Sequence, residues 1–316
     1  MYQLCGEALW TESGSGARVN MIKNARNHDM FFSLLFLLPA LALFCVLLLN
    51  PILQAIYQSF FSWVGIAGVP MQWVGWQNYQ RVLTDNLFWL SMRNALIFLI
   101  GGFVILMPLS FILALVITSG VRWTRFYKTA FFMPVMLPIT AVGLMWVYIL
   151  QPNWGLVNTA LTWIGRESWA LNWLGIPVLN VVVVVLINEW IYAGLNMLIF
   201  AAGIVAIDST LYEAAEIDGA SKWQRLVRIT IPLCKESFKI FSIMCVTGCL
   251  KTFDLIYAMT RGGPNHSSET PASYLYAQAF SYRNFGMGNT VGTILLVLGL
   301  ILSVAIIKLI TRKDTE

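Results

Sequence analysis

Residues 178–206 read VLNVVVVVLINEWIYAGLNMLIFAAGIVA, an apolar run in which Glu189 is the only charged residue. Such a run is long enough to cross the roughly 30 Å hydrocarbon core of a bilayer as one α-helix. Residues 207–237 follow directly and read IDSTLYEAAEIDGASKWQRLVRITIPLCKES, with many charges of both signs. The abrupt change predicts a membrane-spanning helix that emerges into a polar loop.

The composition of the whole chain agrees with this stretch. Apolar residues make up 58% of the 316 residues and charged residues only 11%, whereas soluble domains average about 45–50% and about 25%. So few charges could not cover a soluble protein, which excludes a soluble enzyme with a single anchor; the same numbers exclude a disordered chain. We attribute the net charge of +5 to membrane topology and predict no nucleic-acid partner, because no basic stripe carries interleaved aromatic residues.

Six apolar runs are each long enough to span a bilayer, so we predict an all-α, polytopic membrane protein with six transmembrane helices. The runs cover residues 31–56, 94–118, 128–150, 178–206, 238–259 and 288–310. They form one transmembrane domain, residues 31–310, between an N-terminal tail (1–30) and a C-terminal tail (311–316). The first 30 residues lack the apolar core of a signal peptide. Residues 1–20 are either part of a tail or an extension upstream of an initiator at Met21.

Lysine and arginine determine the predicted orientation, because cytoplasmic loops of membrane proteins carry an excess of both. With both termini in the cytoplasm, 14 of the 20 Lys and Arg residues lie on the cytoplasmic side, and only five lie in outer loops. We therefore expect a multi-pass protein of the cell membrane with both termini cytoplasmic. Residues 207–237 then form the largest cytoplasmic loop. Three outer loops lie near residues 57–93, 151–177 and 260–287.

The polar loop carries signals for two short helices. Thr210 precedes Glu213 by three residues, and Ser221 precedes Gln224 by three. Each pair predicts a capping box, in which the two side chains satisfy free N–H groups at a helix start.

Glycine and proline predict where these two helices end. Gly219 lies between them, where a helix end favours a left-handed residue, and Pro232 is predicted to stop the second helix. The loop is therefore predicted to be a helix–turn–helix, and the small residues Ala214 and Ala215 would let a partner surface approach closely. A solvated loop with no partner is the alternative.

Ionisable side chains inside the apolar runs predict a substrate site within the membrane. Glu189, Lys251 and Asp254 would each cost roughly 2.5–3.5 kcal/mol at a helix centre, so they should face the bundle interior or a wet cavity. Polar and aromatic neighbours on runs four and five complete the predicted site: Asn188, Trp190, Tyr192, Asn196 and Thr247. Lys251 and Asp254 are three residues apart and are expected to pair on one helix face. The alternative is a structural Lys251–Asp254 pair that holds helices together.

The polar loop resembles the EAA signature of the permease subunits of ABC importers. The matching residues are Glu213-Ala214-Ala215, Asp218-Gly219-Ala220, Ile229 and Ile231-Pro232. In that family the loop is the coupling helix, which sits in a cleft of a cytoplasmic ATPase. The resemblance implies the type I importer permease fold, with Glu213, Ala214, Ala215, Asp218, Gly219 and Ala220 contacting the ATPase. Leu226 stands where an aromatic residue is usual, and Ile231 where leucine is usual.

Three further segments are similar to carbohydrate-uptake permeases of the MalF/UgpA type. They are residues 74–79 (VGWQNY), residues 260–270 (TRGGPN followed by ET) and residues 285–288 (FGMG). The resemblance covers about residues 30–310, without the long first outer domain of the maltose permease. It implies a sugar, polyol or glycerol-phosphate solute and a solute-binding protein that docks on the outer loops, where we expect contacts from Arg261, Gly262, Gly263 and Pro264.

No phosphate-binding GxxxxGK loop is present in the sequence. The resemblance therefore implies a transport subunit that is not itself an enzyme and holds no cofactor or metal. ATP and Mg would be bound by two separate ATPase subunits, and a homologous permease would form the other half of the pathway. Two alternatives stay open: an ion-coupled secondary transporter that uses Glu189, Lys251 and Asp254, and an importer of a non-sugar solute. A membrane-embedded enzyme is disfavoured because no catalytic constellation is found.

Overall fold

The computed structural model describes residues 37–66 and 68–311. The predicted N-terminal tail, with the alternative start at Met21, and residues 312–316 of the predicted C-terminal tail lie outside this range. Helices are numbered in chain order: α1 Leu37–Gln58, α2 Gln77–Thr84, α3 Asn86–Thr118, α4 Thr124–Met136, α5 Ile139–Ile149, α6 Leu156–Trp163, α7 Leu179–Val205, α8 Ser209–Ile217, α9 Lys222–Arg225, α10 Lys235–Lys251, α11 Asp254–Met259, α12 Pro271–Tyr276 and α13 Phe285–Thr311.

Short irregular pieces join or interrupt these helices. Two two-residue strands, β1 (Phe61–Ser62) and β2 (Gln72–Trp73), pair antiparallel with Phe61 opposite Trp73. Helix α9 continues through a π-helical turn, Leu226–Thr230, and a last α-helical turn, Ile231–Leu233. Further π-helical turns are Cys45–Leu49 in α1, Gly102–Leu106 in α3 and Ala277–Ser281 after α12, and a 3₁₀ turn covers Glu167–Trp169.

Four helices in the described range are long and apolar enough to cross a membrane: α1, α3, α7 and α13. The predicted third run is instead a broken pair, because α4 and α5 meet at an angle of 95°. Leu137, the residue before Pro138, adopts an extended conformation. A residue before proline is disfavoured in the helical region, so the sequence itself explains the break. The pair counts as a fifth span if it crosses as one unit.

The predicted fifth run is also interrupted. Helix α10 has 17 residues and ends at Lys251, and α11 begins only at Asp254. Thr252 between them is extended, and its carbonyl accepts a hydrogen bond of 2.6 Å from the Thr270 hydroxyl instead of from a helical N–H. The expected pairing of Lys251 with Asp254 is therefore wrong: the break separates them, and no ion pair joins them in the described part of the chain.

The chain divides into two units, residues up to Tyr57 and residues from Gln58 onward. In the first, every residue from Leu37 to Gln54 is exposed, as expected for an apolar helix that has its contacts in a membrane.

The second unit is built around α7, which packs against α3, α4 and α10. Gly194 brings α7 against the backbone of α4, because a Cβ at this position would lie 2.0 Å from the Phe131 carbonyl oxygen. Other α7 side chains, among them Val184, Met197 and Phe200, are completely buried. Polar side chains on α7 are consequently held in fixed positions by a close-packed helix.

The VGWQNY segment has a structural role in the second unit. Asn78 is buried, and its amide donates hydrogen bonds of 2.9 Å to the carbonyls of Ser59 and Phe61. The Tyr79 hydroxyl lies 2.7 Å from the Ser59 hydroxyl. Gly286 lies against the same Phe61 carbonyl oxygen, from which a Cβ at this position would be only 2.0 Å away. Two of the resembling segments thus meet at residues 59–61.

Candidate functional site

A cavity of about 280 Å³ lies between α3, α7, α10 and the start of α11. Six of the eight residues predicted for a substrate site line it: Asn188, Glu189, Tyr192, Asn196, Lys251 and Asp254. Tyr192 lies at the midpoint of α7, roughly 20 Å from either end at 1.5 Å per residue. The cavity therefore sits halfway along the helix that organises the second unit.

Glu189 is the most deeply buried ionisable group of the cavity. It is 2% exposed, and its Oε2 atom has no hydrogen-bond partner among the described residues. Gly101 of α3 lies opposite, and a Cβ there would come within 3.4 Å of the other carboxylate oxygen. A buried polar atom without a partner is costly. It marks a place where a solute group or a water molecule could supply the missing hydrogen bond.

Trp190 and Thr247 do not line the cavity, and for these two the predicted placement is wrong. Successive residues of a helix point about 100° apart, so Trp190 leaves the face that carries Glu189 and packs edge-on against Trp146 at 5.7 Å. Thr247 lies in a separate apolar groove that also includes Gly292 of α13. Its hydroxyl donates back to the Ile243 carbonyl at 2.8 Å.

Sequence reasoning missed the residues that the helix break brings to the cavity. Thr252 and Phe253 lie in the break and line the cavity wall. The Phe253 ring stacks with Tyr257 at 5.2 Å and packs against Tyr276 at 4.9 Å. The aromatic component expected from Trp190 is thus provided by Phe253 together with Tyr192. No proline or glycine marks the break at 252–253, so the sequence carried no signal for it.

The loop that follows α11 is fixed to α7 by side-chain amides and hydroxyls. Asn180, near the start of α7, donates to the Gly263 carbonyl at 2.7 Å, and the Ser268 hydroxyl donates to the same oxygen at 2.8 Å. Gly262 is buried, and a Cβ there would lie 2.4 Å from a Glu269 carboxylate oxygen. Gly262 therefore supports the loop from inside. From the sequence it was expected to contact a docked protein, but it is buried in this structure.

The remaining residues of the predicted docking set are accessible. Arg261 is exposed, with its guanidinium 6.0 Å from the centre of the Tyr257 ring, and Gly263 and Pro264 are partly exposed.

At the opposite end of α7, residues 207–233 form the EAA loop, which contains α8 and α9. Helix α8 begins two residues earlier than predicted, with Asp208 as its N-cap: the Thr210 N–H donates to the Asp208 carboxylate at 2.9 Å. Hydrogen bonds from the Thr210 backbone and side chain lower the pKa of Asp208. The predicted Thr210–Glu213 capping box is thus wrong, because Asp208 is an equally good cap two residues upstream.

The end of α8 agrees with the prediction. Gly219 has a φ of +75°. Its N–H donates to the Glu216 carbonyl at 3.1 Å, and the Ala220 N–H donates to the Ala215 carbonyl at 2.8 Å. These two bonds form a Schellman motif, which satisfies the last carbonyls of a helix and requires a left-handed residue at the glycine position.

The start of α9 also agrees with the prediction, and its end differs. Ser221 and Gln224 form the expected capping box, with bonds of 2.7 Å and 3.3 Å. Pro232 does not stop the helix, which continues to Leu233. The preceding π-helical turn, Leu226–Thr230, changes the hydrogen-bond register, so that Pro232 stands in the first turn of a new α-helical segment, where no N–H is needed.

Two side-chain contacts tie α8 to α9. Arg225 donates to Glu216 at 2.8 Å, and the Tyr212 and Thr230 hydroxyls are 2.9 Å apart. Glu213, Ala214, Asp218 and Gly219 are exposed, and Ala215 and Ala220 are partly exposed. Sequence reasoning missed two apolar side chains beside them, Ile217 (87% exposed) and Trp223 (71% exposed). The EAA loop is a braced helix pair with an accessible, partly apolar tip, as a docking element requires.

An apolar helical unit with a polar cavity halfway along one helix, and a braced helix pair at the end of that helix, is the arrangement expected of a transmembrane transport subunit. The family model described as binding-protein-dependent transport system inner membrane component matches residues 106–313. The chain belongs to this family, and it is a permease subunit of the ABC transporter class.

Similar proteins extend over nearly the whole chain. The osmoprotective compounds uptake permease protein GgtC of Synechocystis sp. is 33% identical over 84% of this chain and 93% of its own length. The lactose transport system permease protein LacF of Rhizobium radiobacter is 30% identical over 85% and 90%. The sulfoquinovosyl glycerol transport system permease protein SmoG of Agrobacterium fabrum is 29% identical over 90% and 92%.

A solved structure has the same fold. It belongs to a bacterial ABC transporter that imports the acidic polysaccharide alginate, and it superposes with a TM-score of 0.79 at 22% identity. The match covers 93% of this chain and 99% of the alginate transporter chain. The fold of this chain is therefore that of an ABC importer permease.

Proposed function

We propose that this permease imports a sugar, or a related polyol or glycerol-phosphate solute, and that the solute passes through the cavity beside α7. The names of its relatives support a carbohydrate-like solute, since LacF is named for lactose and SmoG for a sulfosugar glycoside. The cavity chemistry supports it as well. Two amides, a phenol, carboxylates and an ammonium group provide the donors and acceptors that hydroxyl groups need.

Glu189 and Phe253 are the proposed centre of solute recognition. The free oxygen of Glu189 would accept a hydrogen bond from a sugar hydroxyl, and this bond is favourable because the oxygen is already desolvated. Phe253 would supply an apolar surface for the C–H face of a sugar ring. The cavity volume of about 280 Å³ lies just below the usual range for ligand pockets, about 300–1,000 Å³, which favours a small solute.

Coupling to ATP would occur through the EAA loop. Only residues 206–208 separate α7 from α8, and α8 is braced against α9. A push on the tip around Gly219 would therefore move α7, which lines the cavity. This continuity from the tip to the cavity is the observation that carries the proposal.

The partners that we propose are a homologous second permease, two ATPase subunits that bind ATP and Mg, and an extracytoplasmic solute-binding protein. The EAA loop and both termini would lie in the cytoplasm with the ATPases, and Arg261, Gly263 and Pro264 would face the binding protein. Glu213, Ala214, Asp218 and Gly219 would form the exposed part of the ATPase contact. This chain would hydrolyse no ATP and hold no cofactor itself.

The proposal is tested with the assembled transporter, purified through a tag on this chain and reconstituted in vesicles. Candidate sugars and polyols are screened for stimulation of ATP hydrolysis, and uptake of the best solute is then measured. Glu189→Gln should reduce uptake by up to about tenfold, since a typical hydrogen bond contributes about 0.5–1.5 kcal/mol. Trp190→Phe, one residue away and off the cavity, is the matched control and should transport normally.

Two results would contradict the proposal. One is normal uptake by Glu189→Gln in a correctly assembled complex, which would show that the solute is not bound by Glu189 in this cavity. The other is stimulation of ATP hydrolysis by amino acids or polyamines and by no sugar or polyol, which would remove carbohydrate as the solute class.

A further inference from the structure

Helix α6 carries an apolar stripe on its outer side. Leu156, Ala160, Trp163 and Ile164 recur at the spacing of one helix face, and all four are exposed. Leu156, Trp163 and Ile164 are 69%, 86% and 71% exposed. A helix that faces water carries polar residues on its outer side. We call this stripe the α6 face. Its apolar residues lie on the exposed side of the helix, which is the opposite of the distribution in a helix that faces water.

The asparagine of α6 points inward. Asn158 is buried, and its amide donates to the carbonyls of Pro152 and Leu171 at 2.9 Å and 3.0 Å. Its carbonyl oxygen accepts a bond of 2.7 Å from the Trp173 indole N–H. Because the loop is built around this asparagine, α6 cannot rotate to bury its apolar stripe without breaking all three bonds.

The α6 face continues an apolar surface of the adjoining span. On α5, Leu144 and Tyr148 are exposed, one turn apart. The Tyr148 ring contacts the Trp154 ring at 5.8 Å, and Trp154 leads directly into α6. A continuous apolar strip thus runs from α5, half of the apolar pair that is bent by 95°, onto a helix that begins only seven residues after α5 ends.

A positively charged residue, Arg166, lies at the end of this strip. The guanidinium of Arg166 lies 4.9 Å from the centre of the Trp169 ring, and both residues are exposed. Tryptophan and arginine occur together at membrane–water boundaries, where the ring lies at the headgroup level and the cation reaches lipid phosphates.

We propose that α6 lies in the membrane–water interface, with the α6 face immersed among phospholipids and Arg166 at the level of their phosphates. The partner is the lipid surface. Continuity with α5 favours lipid over a docked protein, because the lipid that surrounds the apolar surface of α5 would then also cover the α6 face. This contact would hold the connection between α5 and α7 at a fixed depth, independently of which solute is carried.

Photo-cross-linking of the assembled transporter tests the proposal. Trp163 or, in a second variant, Ile164 is replaced by p-benzoylphenylalanine, and the complex is reconstituted in phosphatidylethanolamine–phosphatidylglycerol vesicles. Ile217→p-benzoylphenylalanine, at the equally exposed tip of the EAA loop, is the matched control. After irradiation, mass spectrometry of the labelled peptides distinguishes phospholipid adducts from cross-links to protein.

The proposal predicts phospholipid adducts at positions 163 and 164 and none at position 217. Cross-links to a protein chain at 163 and 164 would overturn it and identify the α6 face as a protein interface. Absence of any adduct at both positions, or equal lipid labelling at position 217, would overturn it as well. Either of the two α6 variants can decide the outcome if the other fails to assemble.

Discussion

Replacing Gly219 with alanine tests the mechanical role of the EAA loop. Gly219 has a φ of +75°, and no atom outside Gly219 and its two chain neighbours lies within 4 Å of the position a Cβ would take. The cost of Gly219→Ala is therefore almost entirely the left-handed backbone conformation, roughly 1–2 kcal/mol for an L-residue. Neither a steric clash nor a lost side-chain contact contributes.

Gly219→Ala would destabilise the conformation that docks on the ATPase. A penalty of 1–2 kcal/mol lowers the population of that conformation relative to its competitors by about 5–30-fold, and the apparent affinity for the ATPase should fall by up to that factor. The affinity of purified permease for the ATPase is measured by surface-immobilised binding, and uptake per ATP hydrolysed is measured in vesicles.

Asparagine provides the matched comparison, because it adopts the left-handed conformation more readily than alanine. Gly219→Asn should therefore bind the ATPase more tightly than Gly219→Ala and recover part of the coupling. Unchanged affinity and coupling in Gly219→Ala would refute the reasoning. Equal impairment in the two variants would show that the absence of a side chain, rather than the backbone conformation, is what matters.

Three further predictions concern packing, the outer loop and pH. Gly194→Val should destabilise the permease by about 1–3 kcal/mol through overpacking against Phe131, seen as a lower melting temperature in detergent; Gly248→Ala, where no atom outside the neighbouring residues and the helix's own backbone lies within 4 Å, should leave the melting temperature unchanged or raise it, because alanine is about 1 kcal/mol more favourable than glycine in a helix. Asn180→Ala removes two hydrogen bonds to the 263–267 loop and should increase cleavage of that loop by protease, whereas unchanged cleavage would argue against its anchoring role. Because the pKa of Asp208 is lowered in the folded chain, its contribution to α8 is complete above the ordinary aspartate pKa of about 3.9 and is lost as the pH falls through the folded value. Hydrogen exchange in α8 should therefore accelerate, relative to α9, on acidification, and Asp208→Asn should remove that difference.

Features encoded by local chemistry were predictable from the sequence. The bounds of α7 differ from the predicted run by one residue at each end, because the polar segments on either side of a long apolar run fix where the helix begins and ends. The left-handed Gly219 and the Ser221–Gln224 box were likewise predictable, because each depends on residues within three or four positions of one another.

Features that depend on contacts distant in sequence were not predictable. At the break after Lys251, the Thr252 carbonyl accepts a hydrogen bond from Thr270, and nothing in the sequence pattern relates these two residues. The break also brings Phe253 to the cavity and separates Lys251 from Asp254. Trp190 was misplaced for a different reason: an aromatic residue beside Glu189 suggested a shared site, although neighbouring residues on a helix face different directions.

The central claim is that an ATPase acting on the EAA loop drives solute through the α7 cavity. Uptake of the identified solute into vesicles containing the assembled transporter is the most direct test, with ATP, with a non-hydrolysable analogue, and with the ATPase subunits removed. Accumulation should occur only with the complete complex and hydrolysable ATP, and should persist when ion gradients are collapsed. Accumulation by the permease without its ATPase, driven by an ion gradient, would contradict the account.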